Sequence, residues 1–261
     1  MSKNLTIKWF DTIDSTNLQA LREMENAPEG CVWIADFQTA GRGQRGNAWV
    51  SAKGENLTFT TLLRPEFLPV CKQFSISHVV ALGVCNYLIN NGLDAKIKWP
   101  NDIYVGDKKI CGMLIEHTLC GDKLAASIAG IGLNLNQKEF DSAALNPTSL
   151  LLVTKASSQY NRKEELTLLL SEIYTLYEDL QHGYAAEIKE EYMSHLYRLN
   201  EYHLFSEIDT NAKADIPAEQ MPGGVPFAAR IIGIDDHFCL ILEHRTGEVK
   251  HYAFKEIKYI V

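Results

Sequence analysis

Along the chain the spacing of apolar residues switches between the helical and the extended period, and the switches mark out elements. After residues 14–17, DSTN, the residues Leu18, Leu21 and Met24 recur at helical spacing until Pro28 and Gly30 stop them. Residues 31–38, CVWIADFQ, form an apolar run that predicts a buried strand leading into a glycine-rich stretch. NLTFTTLL (56–63), rich in β-branched and aromatic residues, predicts a second strand. From 74 to 88 the apolar residues return to a helical stripe, which NNG ends. AKIKW, DIYV, KKICGMLIEH and LAASIAGIGLNL follow as strands with tight turns at Gly106-Asp107 and Cys120-Gly121-Asp122, which predicts an antiparallel meander.

Beyond the meander, Leu166, Leu169, Leu170, Ile173, Leu176, Tyr177 and Leu180 trace one face of a long helix over 164–180. A second helix is expected over 185–199. After about Asn200 the pattern becomes short alternating strands, with the Pro/Gly stretch MPGGVPF (221–227) and a hairpin around HRTGEVKHY (244–252). The organisation read from this is an α+β main domain over 1–199, followed by a small β-barrel over 200–261.

Charge and composition narrow the functions. With 33 acidic against 25 basic residues the net charge is −8, which argues against nucleic acid as a partner. The first residues lack the apolar core of a signal peptide, and charges interrupt every long apolar run. Six cysteines without a C-x-x-C pair read as thiols, some of them buried in strand-like runs, and a reducing cytoplasm suits them. The eight histidines show no metal-binding spacing, so no zinc site is assigned.

Residues 40–49, AGRGQRGNAW, contain Gly41, Gly43 and Gly46 in the spacing G-x-G-x-x-G. A dinucleotide-binding turn needs a strand before the glycines and a helix after them. The strand is there, but NAWVSAKGEN has no helical stripe and runs into another strand. A P-loop fails too, because Asn47 follows Gly46 where that motif has lysine. A surface loop with solvated arginines remains open on the stretch alone.

Its neighbours change the picture. DSTN (14–17) precedes the loop, and KWPND (98–102), KKICGMLIE (108–116) and GIGLNL (130–135) follow it. The five in this order resemble the biotin protein ligases (biotin–[acetyl-CoA-carboxylase] ligases) over roughly residues 5–200, and more weakly through the terminal barrel. The resemblance implies a mixed sheet with helices on one side, similar to the catalytic domain of class II aminoacyl-tRNA synthetases, and an SH3-like barrel packed near the nucleotide. It implies that biotin and ATP form biotinyl-5′-AMP and pyrophosphate, and that the biotinyl group then passes to one lysine of a carboxyl carrier protein with release of AMP. Such chemistry needs charge neutralised and reactants aligned rather than a nucleophilic side chain. A homodimer stays open.

The same resemblance distributes roles. Arg42 and Lys109 are the catalytic candidates, bridging the biotin carboxylate and the α-phosphate, where the planar fork of arginine suits two oxyanions. Ser15, Thr16, Asn17 and Gln38 are expected at the ureido ring, with Gly41, Gly43, Gln44 and Gly112 around biotin. Ser15, Thr16 and Asn17 also read as an ordinary helix N-cap. Arg45, Trp49, Asn101 and Asn134 are expected on the nucleotide side, Trp49 covering the adenine or anchoring the loop in the core. Asp102 is the candidate ligand of magnesium, although Asn-Asp after proline is also common turn chemistry. Lys108 should point away into solvent. Gln44 and Asn47 stand where some members of the family carry basic residues, which implies looser retention of the adenylate. Other members begin with a DNA-binding helix-turn-helix, but this chain enters the catalytic region within a few residues and reads as an enzyme only. A lipoate–protein ligase and a non-catalytic biotin-binding module are the alternatives.

Overall fold

The structure, a computed structural model, describes residues 5–141, 146–208 and 224–260, with the side chain of Arg45 also outside the described set. Strand β1 (Ile7–Ile13) lies parallel to β2 (Val32–Gln38), and helix α1 (Thr16–Glu23) connects them. Strand β3 (Leu57–Leu63) runs antiparallel to β2. Helix α2 (Phe74–Asn90) then leads into the meander β4 (Ala95–Lys98), β5 (Asp102–Val105), β6 (Lys108–Cys120) and β7 (Lys123–Leu133), antiparallel throughout as its turns imply. Because β7 returns to pair with β3, one mixed seven-stranded sheet forms in the order β1-β2-β3-β7-β6-β5-β4.

Period-two alternation gives the sheet two unlike faces. Val32, Ile34, Leu57, Phe59, Ala129 and Ile131 point to one face and share an apolar cluster with α2 and α4 (Arg162–Gln181). Burial of each such large side chain contributes about 1.5–3 kcal/mol. Trp33, Leu62 and Ile128 point to the other face and pack against Ala20 of α1. The helices therefore occupy both faces, where the sequence suggested one. The α1 side holds only a small cluster, and Thr58, Gly112, Gly130 and Gly132 continue that face. Those residues are too small to fill a layer, so the sheet stays open to a cavity there.

Three elements differ from the sequence expectation. Strand β1 gave no clear signal because its burial is partial along its whole length, as suits a sheet edge. Helix α3 (Leu150–Thr154) is a single short turn capped by the Ser149 side chain, which accepts from Leu152 N. Helix α5 (Ala185–Ser194) stops five residues before the expected Leu199. There the backbone leaves the helix to bond the edge of β4, with Ile97 N donating to His195 O and Tyr197 N donating to Ile97 O.

The C-terminal strands β8 (Tyr202–Glu207), β9 (Phe227–Ile234), β10 (Leu240–His244), β11 (Val249–Tyr252) and β12 (Ile257–Tyr259) form an antiparallel sheet in the order β11-β10-β9-β8-β12, compatible with an SH3-like barrel. Residues 221–223 of the Pro/Gly stretch lie outside the described residues. Phe238, at the β9–β10 turn, stacks on Phe74 of α2 with centroids 4.6 Å apart, and its carbonyl accepts from Trp99 Nε1 at 3.1 Å. Phe205, Ile231 and Leu240 belong to the same apolar cluster as α2, so the two sheets are joined by continuous core.

Candidate active site

The open face of the large sheet floors a cavity of about 420 Å³ that also touches the C-terminal sheet. Following the strand order, it begins at Gln38 of β2 and Thr16 of α1 and crosses Thr58 of β3, Gly130 and Gly132 of β7, and Gly112 and Leu114 of β6. It ends at Asp102, Tyr104 and Lys98, with Phe254, Lys255 and Lys258 of the C-terminal part forming a further wall.

The first end is neutral and built from fixed amides and hydroxyls. Gln38 Oε1 accepts from the Thr16 backbone N–H at 2.7 Å and from the Thr16 hydroxyl at 3.1 Å. The Thr60 hydroxyl donates to Asn17 Oδ1 at 2.6 Å, and Asn17 Nδ2 donates to Leu114 O and to Glu116 Oε2. A Cβ at Gly130 would collide with the Asn17 amide, so glycine is needed for the close approach. Ser15 occupies the N-cap position of α1, but its side chain makes no capping bond. Gln38 reaches across from β2 and satisfies the first free N–H of the helix in its place. Just outside, Arg22 on α1 holds the Asp14 carboxylate at a pKa of about 2, with a further bond from Ser15 N, so α1 is moored before its first turn.

The glycine loop covers the middle. Gly43 N donates to Asn47 O and Trp49 N donates to Gly41 O, which closes residues 41–49 into a small hairpin with a bridge between Arg42 and Ala48. Trp49 lies over the strand pair Gly112–Gly132, and a Cβ at Gly132 would pass through its indole. At Gly112 a Cβ would stand 3.0 Å from the same ring. Among the described residues Trp49 Nε1 and Gln44 Oε1 are buried without a hydrogen-bond partner, a costly state that a polar ligand would relieve. The Arg42 guanidinium, half exposed, forks onto Glu116 at 3.1 and 3.4 Å.

The far end is cationic. Lys109 Nζ pairs with Asp102 Oδ1 at 2.8 Å and lies 5.8 Å from the Trp49 ring centroid. Lys98 Nζ donates to Tyr104 OH at 2.9 Å and sits over the Tyr104 and Tyr259 rings at 4.5 and 5.1 Å. The backbone of residues 146–148 runs beside Lys109, with Lys109 N donating to Asn146 O and Thr148 N donating to Lys109 O. Lys108 is exposed and off the cavity wall, as alternation requires.

Most of the residues singled out in the sequence meet here. Ser15, Thr16, Asn17, Gln38, Arg42, Gly43, Gln44, Trp49, Asn101, Asp102, Lys109 and Gly112 line the cavity. Two do not. Asn134 is buried behind the floor and its amide donates to Thr148 O, which makes it a brace for the segment beside Lys109. Gly41 packs beneath the Trp49 carbonyl and the Gln38 amide instead of facing the cavity. The Arg45 side chain lies outside the described residues. Glu116, Lys98 and Gly130 lie within the motifs KKICGMLIE, KWPND and GIGLNL but were given no role in the sequence reading, and the C-terminal lysines were not singled out. Of these, Gly130 had a signal: it opens the G-x-G of GIGLNL, whose two glycines share one face of a strand.

The profile of the biotin/lipoate A/B protein ligase family matches residues 9–134. The bifunctional ligase/repressor BirA of Bacillus subtilis is 32% identical over 250 residues, covering 94% of this chain and 71% of that protein. A biotin–[acetyl-CoA-carboxylase] ligase of Paracoccus denitrificans is 37% identical over 138 residues, 51% of this chain and 56% of the relative. Among solved structures, the biotin protein ligase from Aquifex aeolicus in complex with biotin and ATP superposes with a TM-score of 0.76 at 25% identity, covering 98% of this chain and 99% of the other.

Proposed function

The chain belongs to the biotin/lipoate A/B protein ligase family, and from that premise we infer that it joins biotin to ATP and transfers the biotinyl group to a lysine of a carboxylase carrier protein. The observation that carries this reading is the gradient along one cavity, neutral hydrogen-bonding groups at one end and cations at the other, with Arg42 on the loop that covers the middle and Lys109 opening the cationic end.

Biotin enters with its ureido ring toward Thr16, Asn17 and Gln38, whose neutral donors and acceptors match a neutral ring with two N–H groups and a carbonyl. Its carboxylate then faces Arg42 and Lys109. A carboxylate oxygen attacks the α-phosphate of ATP, the bond to the β-phosphate breaks, and pyrophosphate leaves. Arg42 and Lys109 offset the negative charge that both reactants bring together, and the loop excludes water from the mixed anhydride. In the second step the carrier lysine attacks the acyl carbon as a free amine, an amide forms, AMP departs, and the amine loses its proton.

ATP brings magnesium as part of the nucleotide substrate. Asp102, a carboxylate on the cavity wall 2.8 Å from Lys109 Nζ, would hold that ion, whose charge would offset part of the phosphates' charge. Lys98, Lys255 and Lys258, which line the far part of the cavity, would offset the charge of the outgoing pyrophosphate.

Lipoate ligation shares the adenylation chemistry, but a dithiolane ring offers nothing to Thr16, Asn17 and Gln38. The test is exchange of labelled pyrophosphate into ATP. Biotin should support exchange and lipoate should not; exchange with lipoate alone would replace the substrate in this account.

A further inference from the structure

Glu116 stands on the cavity face of β6 and its carboxylate holds two groups assigned above to the substrate. Asn17 Nδ2 donates to Glu116 Oε2 at 2.8 Å, and Arg42 forks onto both carboxylate oxygens at 3.1 and 3.4 Å. Asn17 is fixed independently by the Thr60 hydroxyl at 2.6 Å and by Leu114 O at 3.2 Å. Its place therefore does not depend on Glu116 alone. Arg42 is different: among the described contacts its partner is this carboxylate, and the pair is 41% and 30% exposed.

A carboxylate forked onto a guanidinium is the arrangement Arg42 must reach with an acyl substrate. We propose that Glu116 is a positioning residue that occupies Arg42 in the place of the biotin carboxylate and yields it when that carboxylate arrives. The inference rests on the ligase reading and deepens it. Before substrate enters, the pair keeps the cation at the cavity and draws the glycine loop across the floor. On arrival of biotin, Arg42 exchanges one carboxylate for another, while Glu116 keeps its bond from Asn17. A neutral ligand cannot drive this exchange, so the same contact selects for a free carboxylate. An exposed ion pair of this kind competes weakly, and its removal should strengthen carboxylate binding by about two- to five-fold.

The experiment is calorimetric titration of the full-length protein, wild type and Glu116→Gln, with biotin and with biotinamide, its uncharged carboxamide. Glutamine keeps the shape and still accepts from Asn17, but releases Arg42. The expected result is a two- to five-fold lower Kd for biotin in the variant, with the Kd for biotinamide unchanged. Equal shifts for both ligands, weaker binding of both, or no shift for biotin would each overturn the proposal. If glutamine lowers the melting temperature, Glu116→Asp retains the charge but falls short of Arg42 and should give the same carboxylate-selective gain. Failure of the wild type to bind either compound would instead remove the ligase reading, and this inference with it.

Discussion

At the scale of single residues, Lys109 carries the largest expected effect. On the proposed reading it is one of two cations that face the reacting groups, and Asp102 pairs with it at 2.8 Å. Lys109→Ala should reduce biotin-dependent pyrophosphate exchange about 10²–10³-fold, the usual cost of losing one preorganised transition-state donor. Lys108→Ala, exposed and turned away, should change it little; comparable losses in the two variants would contradict the assignment. Gly130 gives a second expectation. A methyl there meets the Asn17 amide, and overpacking of this sort typically costs about 1–3 kcal/mol. Gly130→Ala should therefore weaken biotin binding at least several-fold, whereas Gly121→Ala, strained at its φ of +61° but remote from the cavity, should cost stability and leave the biotin Kd unchanged. Charged residues at the ends of motifs were legible because a cation opening an apolar strand is unusual. Glu116 was not, since a carboxylate in a half-exposed strand position is ordinary until its partners, 99 and 74 residues away in sequence, are seen beside it.

Among the elements, the glycine loop has two parts with different support. Residues 41–49 bond mainly to one another, but the stretch after them is moored to the sheet. Arg162, at the start of α4, donates to Asp36 Oδ1 at 2.8 Å and to Asn56 O at 2.9 Å, while Gly54 N donates to Asp36 O. Asn56 and Gln137 tie residues 51 and 52 in turn. Limited proteolysis of the ligand-free protein should cut within 42–48 and spare 51–56, and biotinyl-5′-AMP should suppress those cuts. Arg162→Met should open 51–56 as well. Identical cleavage with and without the adenylate would show that the loop does not close on it. Sequence spacing revealed this loop's glycines and arginines but not its mooring, because Arg162 precedes the apolar stripe read over 164–180 and its partner Asp36 lies 126 residues away in sequence. The meander was legible for the opposite reason: its turns are short and its register follows from them. Helix α5 ended early because β4 offers bonds to the backbone after Ser194, a tertiary contact with no local signature.

The whole molecule is held together at the seam between the sheets, and one histidine reports on it. His78 of α2 is buried against Tyr192 and Phe238, with Nε2 unpartnered. Burial, with Lys189 adding to it, lowers its pKa from 6.5 to about 4. Between those values the unfolded chain binds a proton that the folded chain refuses. Stability is thus present above about pH 6.5, falls as pH drops toward 4, and falls no further on this account below 4. The full effect is about 3 kcal/mol. His78→Phe should flatten the melting temperature over that window relative to wild type, and parallel pH profiles for the two proteins would contradict it. The most direct test of the central claim is intact-mass spectrometry of a biotin carboxyl carrier domain after incubation with the protein, ATP, magnesium and biotin. A single biotinyl addition on one lysine is expected, dependent on ATP and lost with Lys109→Ala. An unmodified carrier, or additions scattered over several lysines without need of ATP, would contradict it.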